Sequence, residues 1–272
     1  GYYTVSEEME FYAKSDKLLA QFFTESIDSA SVDIENSGIA VESAIFIVFH
    51  AGLSQDFAYP SFDPTIYDLK SAYIDELMME GVSPATIFNT EIKNGIILPE
   101  TQNIIYYDVV EDIFGNPNYG TENLCDIQIG LTGIFAFLLG YHLGLPEMFN
   151  IDTGEPGVGY FGLMDHGSNN GRGVIPAPPS PWTRTLLEEK WSSVEIIHPQ
   201  DKDTIISVYS LDSINKIFKI DISDNEYFLI ENRNNWVDYK VDIDSLRRIN
   251  STDGNLRYWF DAVTENFNSN QI

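Results

Sequence analysis

Cysteine, histidine and basic residues are all scarce in this chain. Among 272 residues there are one cysteine, four histidines, and 15 lysines and arginines set against 42 aspartates and glutamates. A single cysteine, Cys125, excludes any disulfide within the chain. With no basic neighbour in sequence it reads as a small buried hydrophobe at the start of an apolar helix, not as a nucleophile. The net charge of −27 speaks against nucleic acid and anionic membrane surfaces as partners, because both are polyanions. It suits calcium, salt-rich surroundings, an extracellular life, or solubility alone. No run reaches the roughly 18 uninterrupted apolar residues of a membrane-spanning helix. There is no Gly-x-Ser-x-Gly, no phosphate loop, no Cys/His cluster and no internal repeat.

What is present is the material of a folded domain. Hydrophobic residues make up 43% and aromatics 13%, and the length suffices for one large domain or a domain with a lobe. The chain opens Gly1-Tyr2-Tyr3-Thr4 with neither an initiator methionine nor a signal peptide, which reads as a processed or trimmed start.

Taken in order, residues 1–13 are aromatic and partly extended. Leu18, Leu19, Phe22, Phe23 and Ile27 recur at helical spacing, predicting a helix over 14–31. Residues 41–49 are a continuous β-rich run, predicted to be a central strand buried on both faces. They end in His50-Ala51-Gly52, at a strand's carboxyl end, where ligands gather in α/β sheets. An irregular loop with Pro60 and Pro64 follows over 53–64. A helix is predicted over 65–80 and short strands over 84–110, with Ile104-Ile105-Tyr106-Tyr107 the clearest. Residues 111–123 read as a turn-rich loop. A helix apolar almost all round is predicted over 125–143, stopped by Gly144 and Pro146. Residues 150–181 are a long Gly/Pro-rich loop, 182–191 a short helix, and 204–210, 216–222 and 226–231 strands of an antiparallel lobe. The tail after 234 is polar and Asn/Asp-rich.

The stretch Gly133-Ile-Phe-Ala-Phe-Leu-Leu-Gly-Tyr-His-Leu-Gly-Leu-Pro-Glu147 carries the functional question. A zinc-peptidase helix reads His-Glu-x-x-His-x-x-Gly: two histidines one turn apart bind the metal and the glutamate activates water. Anchored on Gly144-Leu145-Pro146, the two ligand positions hold Phe137 and Tyr141, and the glutamate position holds Leu138. The outline is kept and the three reactive side chains are replaced.

Five stretches stand in one order: His50-Ala51-Gly52; Gly133-Ile134-Phe135 leading to Gly140 and Gly144-Leu145-Pro146; Gly157-Val158-Gly159 with Gly162-Leu163-Met164 and Gly167-Ser168; Pro179-Ser180-Pro181-Trp182 through Trp191; and Glu226-Tyr227-Phe228-Leu229-Ile230-Glu231-Asn232-Arg233. Together they resemble the secreted M6 metallopeptidases of the immune-inhibitor-A type, over most of residues 1–233. The resemblance implies a zincin-like α/β (α+β) fold, with a mixed sheet packed on a central core helix. It implies a peptidase-like domain over 1–193 and a β-rich lobe over 194–272. It also implies a fragment of a longer secreted or cell-surface protein. Met164 would be the turn that packs beneath the metal site, and Glu147 the third-ligand position.

Phe137 binds no metal, and Tyr141 could do so only as a phenolate, whose proton leaves near pH 10 in the free side chain. Without ligands, and with Leu138 in place of the base, no water is activated. The expected function is therefore a non-catalytic structural or binding module, an assembly subunit included, whose partner is a protein or glycan at the cell surface. No zinc is expected. The alternative is an active metallopeptidase with rearranged ligands drawn from His50, His142, His166 and Glu147. His142 lies one residue off register, about 100° around the helix from the ligand face. His198, before Pro199, is expected to be exposed. Calcium candidates are Asp152, Glu155 and Asp165 in the long loop, with Asp108, Glu111 and Asp112 before the helix, at spacings that match no EF-hand.

Overall fold

The computed structural model describes residues 1–57, 67–102, 104–111, 117–127, 129–188, 195–198, 205, 207–208 and 216–233, with only the backbone described over 104–111 and 117–127 and at 188, 195 and 216. The chain forms two compact units, Gly1–Leu143 and Gly144–Ile272. The lobe boundary drawn from sequence, 193/194, falls inside the second. Among the described residues the architecture is mixed α/β, with four helices and several small sheets.

The first unit begins with a single turn, α1 (Met9–Tyr12), where sequence suggested extended chain. Helix α2 (Asp16–Ser37) starts at Ser15, whose hydroxyl accepts from the Leu18 N–H at 3.3 Å, with Asp16 in the first turn. It runs two turns past its expected end at 31, because the first residue that reverses the chain cheaply is Gly38. Its apolar stripe, Leu19, Ala20, Phe22, Phe23 and Ile27, is buried.

The sheet that α2 covers has the order β1 (Ile47–His50), β5 (Gly95–Pro99), β2 (Ala72–Ile74), with β1 parallel and β2 antiparallel to β5. Two expectations fail here. The run 41–49 is not the central strand: Val41–Ser43 is a 3-10 turn, and β1 is an edge strand of the described sheet with Phe49 exposed. The central place belongs to β5, all five residues of which are buried. The helix expected over 65–80 is also absent from the described part of that range, where β2 alternates buried, half-buried, buried and Asp75 caps a turn through the Met78 N–H. Period two prevails over the helical reading.

β5 is buried on both faces. Ile97 joins the core with Phe23, Ile27 and Ile74 under α2, while Ile96 and Leu98 face the other way. A Cβ on Gly95 would lie 2.4 Å from the Phe23 ring, so that strand residue must be glycine for α2 to approach. The hairpin β3 (Ala85–Ile87), β4 (Thr90–Ile92) packs on α2, with Phe88 and Asn89 at positive φ in its turn. β6 (Ile104–Glu111) pairs antiparallel with β7 (Pro117–Ile127).

β7 corrects two further expectations. Residues 117–123 are strand rather than loop, and the helix expected from 125 starts later, as α3 (Leu131–His142). Cys125 therefore lies on β7, paired with Tyr106, not at a helix start. Cys125, Ile127 and Ile129 alternate with Asp126 and Gln128, a strand pattern that precedes Gly130 at the helix N-cap. The predicted stop holds: the Leu143 N–H reaches the Leu139 carbonyl at 3.0 Å and Gly144 has φ 80°. No helix among the described residues is long and apolar enough to cross a membrane.

In the second unit the expected long loop carries two 3-10 turns, Gly159–Phe161 and His166–Asn169, and a bridge from Pro156 to Phe149, before α4 (Pro181–Glu188). Ser180 caps α4 by accepting from the Thr183 N–H at 3.1 Å, and Pro181 occupies the first helical position. The lobe sheet has the order β10 (Glu226–Ile230), β9 (Lys216–Ser223), β8 (Glu195–Ile197). β9 and β10 are antiparallel as expected, whereas β8 joins β9 in parallel. Most of the strand expected over 204–210, and the tail after 234, lie outside the described residues.

Candidate functional site

α3 places Phe137, Leu138, Tyr141 and His142 on the sheet of the first unit. Leu138, in the glutamate position, is 4% exposed and packs with Ile96 and Leu98 of β5. Phe137 and Tyr141, four residues apart on one helix face, meet edge to face at 4.9 Å between ring centroids. Tyr73 of β2 stacks on Tyr141 at 6.4 Å and takes the His142 ring edge-on at 6.0 Å. Burial, with Asp75 and Glu76 nearby, pushes the Tyr73 phenol above its ordinary value. The face that carries positions 137, 138 and 141 is thus a half-buried aromatic and aliphatic surface. A zinc ion does not fit these residues: Phe137 offers no lone pair, and Leu138 neither binds metal nor accepts a proton.

His50 sits at the carboxyl end of β1, 4% exposed. Its Nδ1 lies 3.0 Å from the Ala51 carbonyl and its Nε2 is buried without a hydrogen bond. Burial pushes the imidazole below its ordinary value, opposed by the Ala51 carbonyl and by Asp56 and Asp68. Asp56 itself is held by the Ser71 N–H at 2.8 Å and the Gln102 amide at 2.9 Å. His50 is thus a buried ring whose charged form burial disfavours.

Glu147, Met164 and the acidic loop belong to the second unit. Glu147 is exposed, while Met164 is fully buried, its carbonyl accepting from Met148 at 2.7 Å. Asp165 is the hub of the loop and is 2% exposed. Its Oδ2 accepts from the successive N–H groups of Gly157, Val158 and Gly159 at 2.9, 2.7 and 2.8 Å, and its Oδ1 from His166 at 2.7 Å. Three donors converge on Oδ2 and one on Oδ1, so this carboxylate ties the Gly-Val-Gly segment to the Gly-Leu-Met segment. Asp152 and Glu155 remain at the surface, in a turn built on Asn150, whose side chain accepts from the N–H groups of Asp152 and Thr153. Among the described residues, these three included, no three His, Cys, Asp or Glu side chains gather closely enough to hold a metal. Asp108 and Glu111 lie on β6, where only the backbone is described, and Asp112 lies outside the described residues.

His166 is half-exposed, its Nε2 3.2 Å from the Gly154 carbonyl. His198 is exposed as expected, 3.6 Å from Asp221.

Two clusters have no sequence signal of their own. Arg184 of α4, 5% exposed, pairs with Glu231, which also holds Arg233. Arg233 in turn donates to the Phe161 and Pro179 carbonyls. Burial pulls the Arg184 guanidinium below its ordinary value, against the pull of Glu231. In the first unit, Glu25 accepts from Tyr12, Gln21 and Ser6. Burial raises its pKa, but these hydrogen bonds outweigh burial and bring it to about 2. The partners lie up to 72 residues apart, so no local pattern announces them.

No protein-family model, curated protein or solved structure matches this chain.

Proposed function

We propose that this chain is a non-catalytic relative of the M6 metallopeptidases, with a zincin-like fold, working as a structural or binding module of a secreted or cell-surface protein. Leu138 carries the reading. The position that would hold a general base is filled by an aliphatic side chain built into the core beneath it. Restoring a glutamate there would bury a charge with no partner, so the surroundings are adapted to the leucine and not merely tolerant of it. Phe137 and Tyr141 support the same view, since each packs against the other. The Asp165 knot and the Arg184–Glu231–Arg233 clamp keep the surrounding loop and lobe in order without any hydrolytic chemistry. The partner is a protein or glycan outside the cell, a role that the acidic surface suits.

Peptide cleavage tests the reading. The purified chain, incubated with a quenched-fluorescent peptide library with and without added zinc, should cleave nothing. Cleavage abolished by a chelator would overturn the proposal in favour of a peptidase with rearranged ligands.

A further inference from the structure

The outer edge of β1 borders a groove of about 710 Å³ between that strand and α2. Eight consecutive residues, 44–51, line it. One face of a strand would contribute only alternate residues; an unbroken run means that the groove follows the strand's edge. The hydrogen bonds agree. The Phe46 carbonyl accepts from Ile96, and the His50 carbonyl accepts from Glu100, so the even-numbered residues turn their peptide groups toward β5. The odd-numbered ones, Ile45, Ile47 and Phe49, turn theirs to the opposite side, where no described strand pairs with them. The run of free edge ends at Ala51, whose carbonyl is engaged by the His50 ring.

This edge lacks the usual protections. It carries no proline, lysine or arginine, and Phe49 is 61% exposed. The groove's other walls are formed by Phe22, Ile27, Ala30 and Ile34 of α2 and by the N-terminal segment, residues 1–5 with Glu7 and Met9. Glu7 is the acidic residue of its lining, no lining residue among those described is Lys or Arg, and the whole chain carries a net charge of −27.

We infer that this edge receives an extended segment of another chain as an added strand. Alternate residues of the segment would be apolar, set into the groove toward α2, and the intervening ones, on the opposite face of the extended sheet, basic, to suit the chain's net charge of −27. Backbone hydrogen bonds to Ile47 and Phe49 would supply register, the α2 wall would select apolar side chains, and the charge would select against a second copy of this −27 chain. The inference gives a partner to the binding module proposed above and rests on that reading.

The test is an amide-resolved NMR titration of the full chain with a capped synthetic peptide of about ten residues alternating valine and lysine. Two twins are N-methylated at every second residue, one in each parity, and a fourth peptide alternates valine and glutamate. In the free protein, the Ile47 and Phe49 amides should exchange with solvent far faster than those of Val48 and His50. Binding should shift and protect Ile47 and Phe49. One N-methylated twin should lose binding at least tenfold while the other keeps it, and the glutamate peptide should lose it as well. Ala30→Trp, which fills the groove without touching the strand, should weaken binding about tenfold. Already-protected Ile47 and Phe49 amides, equal binding of both twins, or shifts confined to other surfaces would each overturn the inference. Mass spectrometry of the recovered peptide separates the two proposals: cut peptide counts against the non-catalytic reading, and intact peptide with unshifted β1 amides counts against the docking edge.

Discussion

Leu138 of α3 packs with Leu98 of β5, on the face of the sheet opposite the one that Ile97 turns toward α2. The contact makes the would-be general-base position part of what holds the first unit together. Leu138→Ala should therefore destabilise the protein by about 2–4 kcal/mol, the range for a buried leucine whose surroundings cannot fully collapse. Leu138→Glu should cost at least as much, because the carboxylate would have no partner. Urea unfolding measures both. A change below about 0.5 kcal/mol, the size of an ordinary surface effect, would show that Leu138 is not a core residue.

Asp165 should be as sensitive for a different reason. Asp165→Asn keeps the shape but replaces one carboxylate oxygen by an NH₂ group, leaving at least one buried N–H donor opposed and weakening the rest by loss of charge. The expected loss is about 2–4 kcal/mol. Limited proteolysis should show new cuts near Gly157–Gly159, the segment that loses its anchor.

His50 sets a pH dependence. Its folded pKa lies below the ordinary 6.5 because burial disfavours the charged ring. Below about pH 6.5 the unfolded chain therefore binds a proton that the folded chain does not, and stability falls as pH drops toward the folded pKa, by up to about 1.4 kcal/mol per pH unit. His50→Gln, which cannot titrate there, should flatten this segment of the stability–pH curve. An unchanged slope in the variant would remove His50 as its source.

Glu25 acts further down the scale. With a folded pKa of about 2 against 4.5 for the free group, its contribution is present above pH 4.5 and is lost as pH falls toward 2. Glu25→Gln should lower stability at pH 7 by about 1 kcal/mol and much less at pH 2. The same variant should loosen residues 1–8, since Ser6 loses its partner, which hydrogen exchange on the Ser6 amide reads directly.

Much of this architecture is legible locally. Gly144 and Pro146 announce the end of α3, the apolar spacing from Leu19 to Ile27 announces α2, and Ser180-Pro181 announces α4, because caps and periodicity are properties of a few neighbouring residues. The misplaced elements are those decided by tertiary neighbours. Residues 41–49 look central by composition, yet β5 takes that place because Gly95 lets Phe23 in. Residues 125–129 are apolar enough for a helix, yet they alternate, and pairing with β6 fixes 125–127 as strand. At the candidate site, positions 137, 138 and 141 could be singled out from the motif frame alone. The four donors to Asp165 and the partners of Arg184 could not, because nothing in the intervening sequence encodes a meeting between segments that far apart.

Metal stoichiometry tests the central claim most directly. The chain should be purified without chelator, dialysed against micromolar zinc and analysed by inductively coupled plasma mass spectrometry, beside a Tyr141→Phe, Glu147→Ala double variant. The account predicts well under 0.1 zinc per chain, and the same value for the variant. One zinc per chain in the wild type, lost in the variant, would contradict it.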